Sequence, residues 1–199
     1  MTVSTHLRRT AAVAFALAGA LAAPITPVHA DQANAASLVS IRNATADYRD
    51  FASSQADGFT TLVARTDNGE SCITNGAAGA MGQHYANLGR VGDGAIQRQR
   101  PEVLLYEPQA NGRKVLTGVE YVVIASDWLA KHDGPPVLFG REFDLVTANP
   151  FGLPPFYALH AWLWAPNPSG TFESWNPQVH CDAPGGAGEG IDCAHEHVV

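Results

Sequence analysis

The chain has 199 residues, with 12 Lys and Arg against 19 Asp and Glu, for a formal charge of −7 with histidine neutral. Such a balance repels phosphate backbones, and no basic run exceeds Arg113-Lys114, so nucleic acid is excluded as a partner. A chain rich in Gly, Pro and Ala, with Lys114 and Lys131 as its lysines, suits a loop-rich β domain better than a helical bundle.

Residues 1–30 have the layout of a secretory signal peptide. Arg8 and Arg9 supply the basic region, residues 10–23 an uncharged apolar run, and Pro24 and Pro27 break that run. Val28 and Ala30 are small residues at −3 and −1, which places cleavage after Ala30 and the protein in a secreted or extracytoplasmic location. The run is too short to span a bilayer, so no permanent membrane anchor is expected. Adjacent arginines also allow twin-arginine export, the alternative to the ordinary unfolded route. What remains carries ten basic residues against nineteen acidic ones, a net −9. That length suits a single globular domain over residues 31–181, followed by a flexible Gly- and His-containing tail over 182–199.

Taken in chain order, residues 31–57 read as a helix, with Leu38, Ile41, Tyr48 and Phe51 forming an apolar stripe and Gly58 ending it. Asn43-Ala44-Thr45 matches a glycosylation sequon by chance within that helix. The period then changes to two. Residues 60–64 read as a strand, Thr66-Asp67-Asn68-Gly69 as a turn, and the small residues 76–82 as a loop or close crossing. A strand over 103–106 joins one over 115–125 through Asn111-Gly112, the strongest hairpin signal in the chain. Residues 137–139 lead into 143–146, and 149–155 form a proline-rich turn. A last strand over 156–164 is stopped by Pro166 and Pro168. One helix followed by five or six hairpin-punctuated strands predicts an α+β fold, with an N-terminal helix and a mainly antiparallel β-sheet or small β-barrel.

The three cysteines fit an oxidising compartment. Cys72 and Cys181 flank the patterned region and are expected to form a disulfide bond, leaving Cys193 in the tail. The alternative pairing is Cys181 with Cys193.

Strand alternation selects the chemistry-bearing residues. His160 shares a face with Phe156, Ala158, Trp162 and Trp164, and Glu120 lies in an apolar strand with Gly118, Val122 and Ile124. A carboxylate at position 120 must be paired, metal-bound or protonated, because an isolated buried charge is too costly. Glu102 opens the preceding strand, and His84 is aimed by Gly79 and Gly82. His84, His160, Glu120 and Glu102 are therefore the candidate metal ligands, a His/Glu set suited to a mononuclear Zn, Cu, Fe or Mn ion. In a purely structural reading, the histidines are core residues and Glu120 pairs with Arg90, Arg98 or Arg141. A third reading is a non-catalytic small-ligand-binding module that uses Trp162 and Trp164 as an aromatic wall. Cys193, His195 and His197 offer a flexible chelating tail, or simply a solvated end. Serine hydrolysis is disfavoured, since no Gly-x-Ser-x-Gly segment occurs.

The segments Met81-Gly82-x-His84-Tyr85, Arg100-Pro101-Glu102-Val103-Leu104-Leu105-Tyr106-Glu107, Gly118-Val119-Glu120-Tyr121 and Leu159-His160-Ala161-Trp162-Leu163-Trp164-x-Pro166-Asn167-Pro168-x-Gly170 carry a resemblance. Over about residues 38–181 the chain resembles an uncharacterised family of exported bacterial proteins, common in actinobacteria. That resemblance implies export and assigns neither a reaction nor a site. The Met-Gly-x-His segment is also loosely similar to metal-binding cupins, which are jelly-roll barrels. The expectation is a secreted domain with a His/Glu metal site, its partner a metal ion or small molecule.

Overall fold

A computed structural model describes residues 27–63, 71–147, 149 and 152–181. The expected tail and all but the last four residues of the expected signal peptide lie outside the described residues, as does Cys193. In place of one helix over 31–57, the chain forms α1 (Pro27–Ala44), a 3-10 turn (Ala46–Arg49) and α2 (Phe51–Ala56). Two side chains that compete with the helical backbone cause the breaks. Thr45 Oγ1 donates to the Ile41 carbonyl at 2.9 Å, and the extended Asp50 caps α2 by accepting the Ala52 N–H. Three of the four residues of the expected stripe reach the core despite the breaks, and Leu38 does not. Ile41 is fully buried, and Tyr48 and Phe51 pack against the same core. α1 begins upstream of the expected cleavage point, and the sequon residue Thr45 is wholly buried.

The remaining elements are β1 (Thr61–Leu62), β2 (Cys72–Thr74), β3 (Ala80–Ala86), α3 (Leu88–Val91), β4 (Val103–Pro108), β5 (Lys114–Ile124), α4 (Ala125–Leu129), β6 (Val137–Leu138), β7 (Arg141–Glu142), β8 (Asp144–Val146) and β9 (Phe156–Ala161). Seven strands form one antiparallel sheet in the order β1-β3-β4-β5-β9-β8, with β2 also paired to β3. β6 and β7 form a separate hairpin. The fold is α+β as expected, and of the two expected forms it is the sheet. It does not close into a barrel, because β8 and the β1/β2 edge have no partner in common. The cupin-like closure expected from the Met-Gly-x-His segment is corrected by the same open edges. Asn111-Gly112 makes the β4–β5 turn, with Gly112 at φ 79°.

Two clusters fill the two faces of the sheet. One holds Ile41, Phe59, Tyr85, Leu104, Tyr106, Val119, Tyr121, Val123, Tyr157 and Leu159 under the helices. The other holds Ala86, Val103, Leu105, Val122, Phe156, Ala158, Trp162 and Val179, with Ala165 and Cys181 packed against it. The second face is covered by the chain that follows β9. Asn176 bridges Ala80 of β3, and Cys181 is disulfide-bonded to Cys72 of β2 with Cα atoms 5.7 Å apart. That bond matches the pairing expected from the sequence. It closes a separation of 109 residues, worth about 4–5 kcal/mol in a chain-entropy account.

The expected strand over 156–164 stops early, at Ala161. Trp162 N–H turns to the Thr171 carbonyl, while the Trp164 and Ala165 N–H groups both donate to Thr117. Thr117 is the extra residue of a bulge where Tyr106 pairs with Leu116 and Leu105 with Gly118. Its carbonyl is thereby aimed at the departing chain. Alternation ends there, so Trp162 and Trp164 fall on different clusters. Among the described residues no helix is long and apolar enough to cross a membrane.

Candidate metal centre

The second sheet face is built in rows. Ala86, Val103, Glu120 and His160 lie directly opposite one another across β3, β4, β5 and β9. The next row runs His84, Leu105, Gly118. Glu120 and His160 are therefore cross-strand neighbours, and His84 reaches them over β4 from one row away. Gly118 keeps that row open beside Glu120. A Cβ there would lie 2.8 Å from the Ala161 carbonyl oxygen and 3.4 Å from Leu105 Cδ1.

His84, Glu120 and His160 are 5 %, 7 % and 6 % exposed. His84 Nε2 lies 3.7 Å from Glu120 Oε2, and His160 Nε2 lies 3.8 Å from Glu120 Oε1, so each carboxylate oxygen faces a different imidazole. The imidazole rings meet edge to face at 5.9 Å. One ligand atom from each of the three residues can be chosen so that all lie within 4.8 Å of one another. These separations exceed hydrogen-bond range. The two nitrogen–oxygen distances, 3.7 and 3.8 Å, approach the roughly 3.4 Å edge of a tetrahedron whose bonds are about 2.1 Å long. His160 Nε2 is buried without a hydrogen-bond partner, which costs free energy unless something else satisfies it.

Burial sets the charge state of Glu120 and His160. It raises the Glu120 pKa from 4.5 to about 8, because the charged form is desolvated. Desolvation, followed by the nearby His84, lowers the His160 pKa to about 3, so this imidazole is neutral and its lone pair is free to coordinate. Among the described residues no arginine forms an ion pair with Glu120. Arg90 pairs with Asp57 at 2.6 Å, Arg141 with Glu173 at 3.5 Å, and Arg98 lies over the Phe139 ring.

Three of the four ligands expected from the sequence come together. Glu102 does not join them. It precedes β4 in register with Leu104 and Tyr106, which face the helix-side cluster. Its Oε2 accepts the Val122 N–H at 3.0 Å. Burial raises its pKa to about 8 against the lowering effect of that hydrogen bond. Trp162 lies beside His160, with ring centroids 6.2 Å apart and planes 17° apart, and its Nε1 donates to the Glu173 carbonyl. Trp164 instead lies among the helix-side residues, with Arg42 and Arg49 over its ring. The two tryptophans do not form one wall. Sequence reasoning did not single out the cover made by Val179 and Asn176. The Pro- and Asn-rich spacing after Trp164 signals a fixed loop but not where it lies.

No protein-family model, curated protein or solved structure matches the chain.

Proposed function

We propose that this is an exported protein whose domain binds one divalent transition-metal ion through His84, Glu120 and His160. The carrying observation is the buried trio: two imidazole nitrogens, each facing its own oxygen of a single carboxylate at ligand–ligand spacing. Two imidazoles and one carboxylate suit Zn, Fe, Mn or Cu. Three protein ligands leave at least one coordination position for water, whose pKa such an ion lowers. The ligand side chains keep only 7–9 % of their surface exposed, so a small polar molecule fits this access better than an extended substrate. Export is supported by the signal-peptide pattern of residues 1–30, by the Cys72–Cys181 disulfide and by the resemblance to the exported family.

Metal analysis of the purified protein after loading and desalting is expected to give about one equivalent per chain. The His84→Ala/His160→Ala variant is expected to give less than a tenth of that. Equal content in the two proteins would overturn the assignment, and zero content in both across Zn, Mn, Cu and anaerobic Fe(II) would leave the trio as core residues.

A further inference from the structure

The segment over residues 162–181 lies across the sheet face that carries the three ligands, and several unrelated contacts hold it there. Trp162 and Val179 belong to the apolar cluster of that face, and Ala165 and Cys181 pack against it. Asn176 is fully buried. It exchanges backbone hydrogen bonds with Ala80 at 3.1 Å each way, and its side chain donates to the Ala165 and Pro166 carbonyls while accepting the Gln178 N–H. The sheet leaves room for this path. A Cβ at Gly79 would lie 2.2 Å from the Asn176 carbonyl oxygen, at φ 100° where only glycine is unstrained. Beyond Asn176, the His180 N–H donates to Glu107 and Cys181 is bonded to Cys72. Cys72 pairs with Gln83, the residue before His84.

We propose that residues 162–181 are a latched cover over the His84–Glu120–His160 centre, and that the Cys72–Cys181 disulfide is the latch controlling exchange of the ion. This rests on the metal reading above and adds how the site is opened. Opening is a two-electron step. An external dithiol attacks the Cys181–Cys72 bond, two protein thiols form, and the dithiol leaves as its own disulfide. With the latch cut, the cover loses its one covalent tie and is held only by non-covalent contacts, chiefly the Asn176 hydrogen bonds, the His180 N–H to Glu107, the hydrogen bonds to Thr117 and apolar packing. The ligands then become accessible without any change at the ligands themselves.

Two readouts test this on the whole secreted chain. In the first, Zn-loaded protein is mixed with excess chromogenic chelator, with and without prior reduction by a dithiol. Reduction, or Cys72→Ser/Cys181→Ser, is expected to speed ion release at least tenfold while the bound stoichiometry stays unchanged. In the second, the metal-free protein is treated with diethyl pyrocarbonate, and modification of His84 and His160 is followed by peptide mass. The same treatments are expected to raise their reactivity several-fold, with exposed His132 as the internal standard. Unchanged release and unchanged histidine reactivity in a reduced protein of native circular dichroism would overturn the cover. If the serine variant fails to fold, the reduced wild-type protein decides. A chain that takes up no ion, yet shows increased histidine reactivity on reduction, would remove the metal reading and keep the cover.

Discussion

Glu102 Oε2 accepts the Val122 N–H just beyond the last β4–β5 pair, Val103 with Glu120. Pro101, which precedes Glu102, has no N–H to give to the ladder, and its carbonyl accepts from Arg90 Nη1 at 3.1 Å, so the Glu102 carboxyl group serves as the acceptor for the Val122 N–H. Both this group and Glu120 titrate near pH 8 in the folded chain, against an ordinary value of 4.5. A raised pKa means that the folded state holds the proton more tightly. The stabilising contribution is therefore complete below about pH 4.5 and is lost as pH rises through about 8. His160 has the opposite sign. Its lowered pKa gives a contribution present above about pH 6.5 and lost as pH falls toward 3. Glu102→Gln keeps an acceptor oxygen and removes the proton. Melting curves from pH 4 to 9 are expected to show a flatter alkaline limb in this variant, by on the order of 2–4 kcal/mol at pH 9, with the acid limb unchanged. Parallel curves for the two proteins would mean that Glu102 does not titrate in this range.

At the level of elements, the site depends on how closely β5 and β9 approach. Gly118→Ala would place a methyl group 2.8 Å from the Ala161 carbonyl oxygen, against backbone that can move only by parting the two strands. Those strands carry Glu120 and His160. The substitution is expected to cost about 1–3 kcal/mol and to weaken metal binding at least tenfold, measured by thermal melts and by competition with a chelator. Destabilisation with full affinity would show that the spacing of these strands does not set the site. Strands with strong alternation were legible in the sequence. Residues 115–125 and 103–106 correspond to β5 and β4, and Asn111-Gly112 to their turn. β3 was not legible, although it carries His84. Its sequence, Ala-Met-Gly-Gln-His-Tyr-Ala, has no β-branched residue and one glycine, and it is extended because β1, β2 and β4 all pair with it. Trp164 was assigned to the wrong face for a similar reason. The bulge at Thr117 that redirects the chain after Ala161 is a property of the pairing and leaves no local signal in residues 156–164. His160 and Glu120 come to the same sheet face as cross-strand neighbours, and the alternation that puts each on that face is local to its strand. The exclusion of Glu102 needed the register.

Across the whole molecule, the three proposed ligands come from β3, β5 and β9, so an ion bound by them would tie together strands that are far apart in the chain. An ion that binds only the folded state stabilises it by mass action, by about 2.7 kcal/mol at a hundredfold excess over Kd. For a chain of this length that corresponds to a rise of roughly 5–10 °C in Tm. The metal-free trio has the reverse effect, since it places a carboxyl group and an unpartnered His160 nitrogen inside an apolar face. Replacing the set by His84→Leu, Glu120→Met and His160→Leu is therefore expected to make the metal-free protein more stable by about 1–4 kcal/mol. The same variant should be indifferent to added metal. Differential scanning calorimetry of both proteins, with chelator and with excess Zn, gives four melting temperatures whose order is fixed in advance. Wild type with chelator should melt lowest, the apolar variant should melt at one temperature under both conditions, and wild type should rise on adding Zn. A wild-type Tm that ignores Zn would leave the buried trio without the ion that compensates its desolvation. An apolar variant less stable than metal-free wild type would show that the histidines and Glu120 are themselves favourable core contacts.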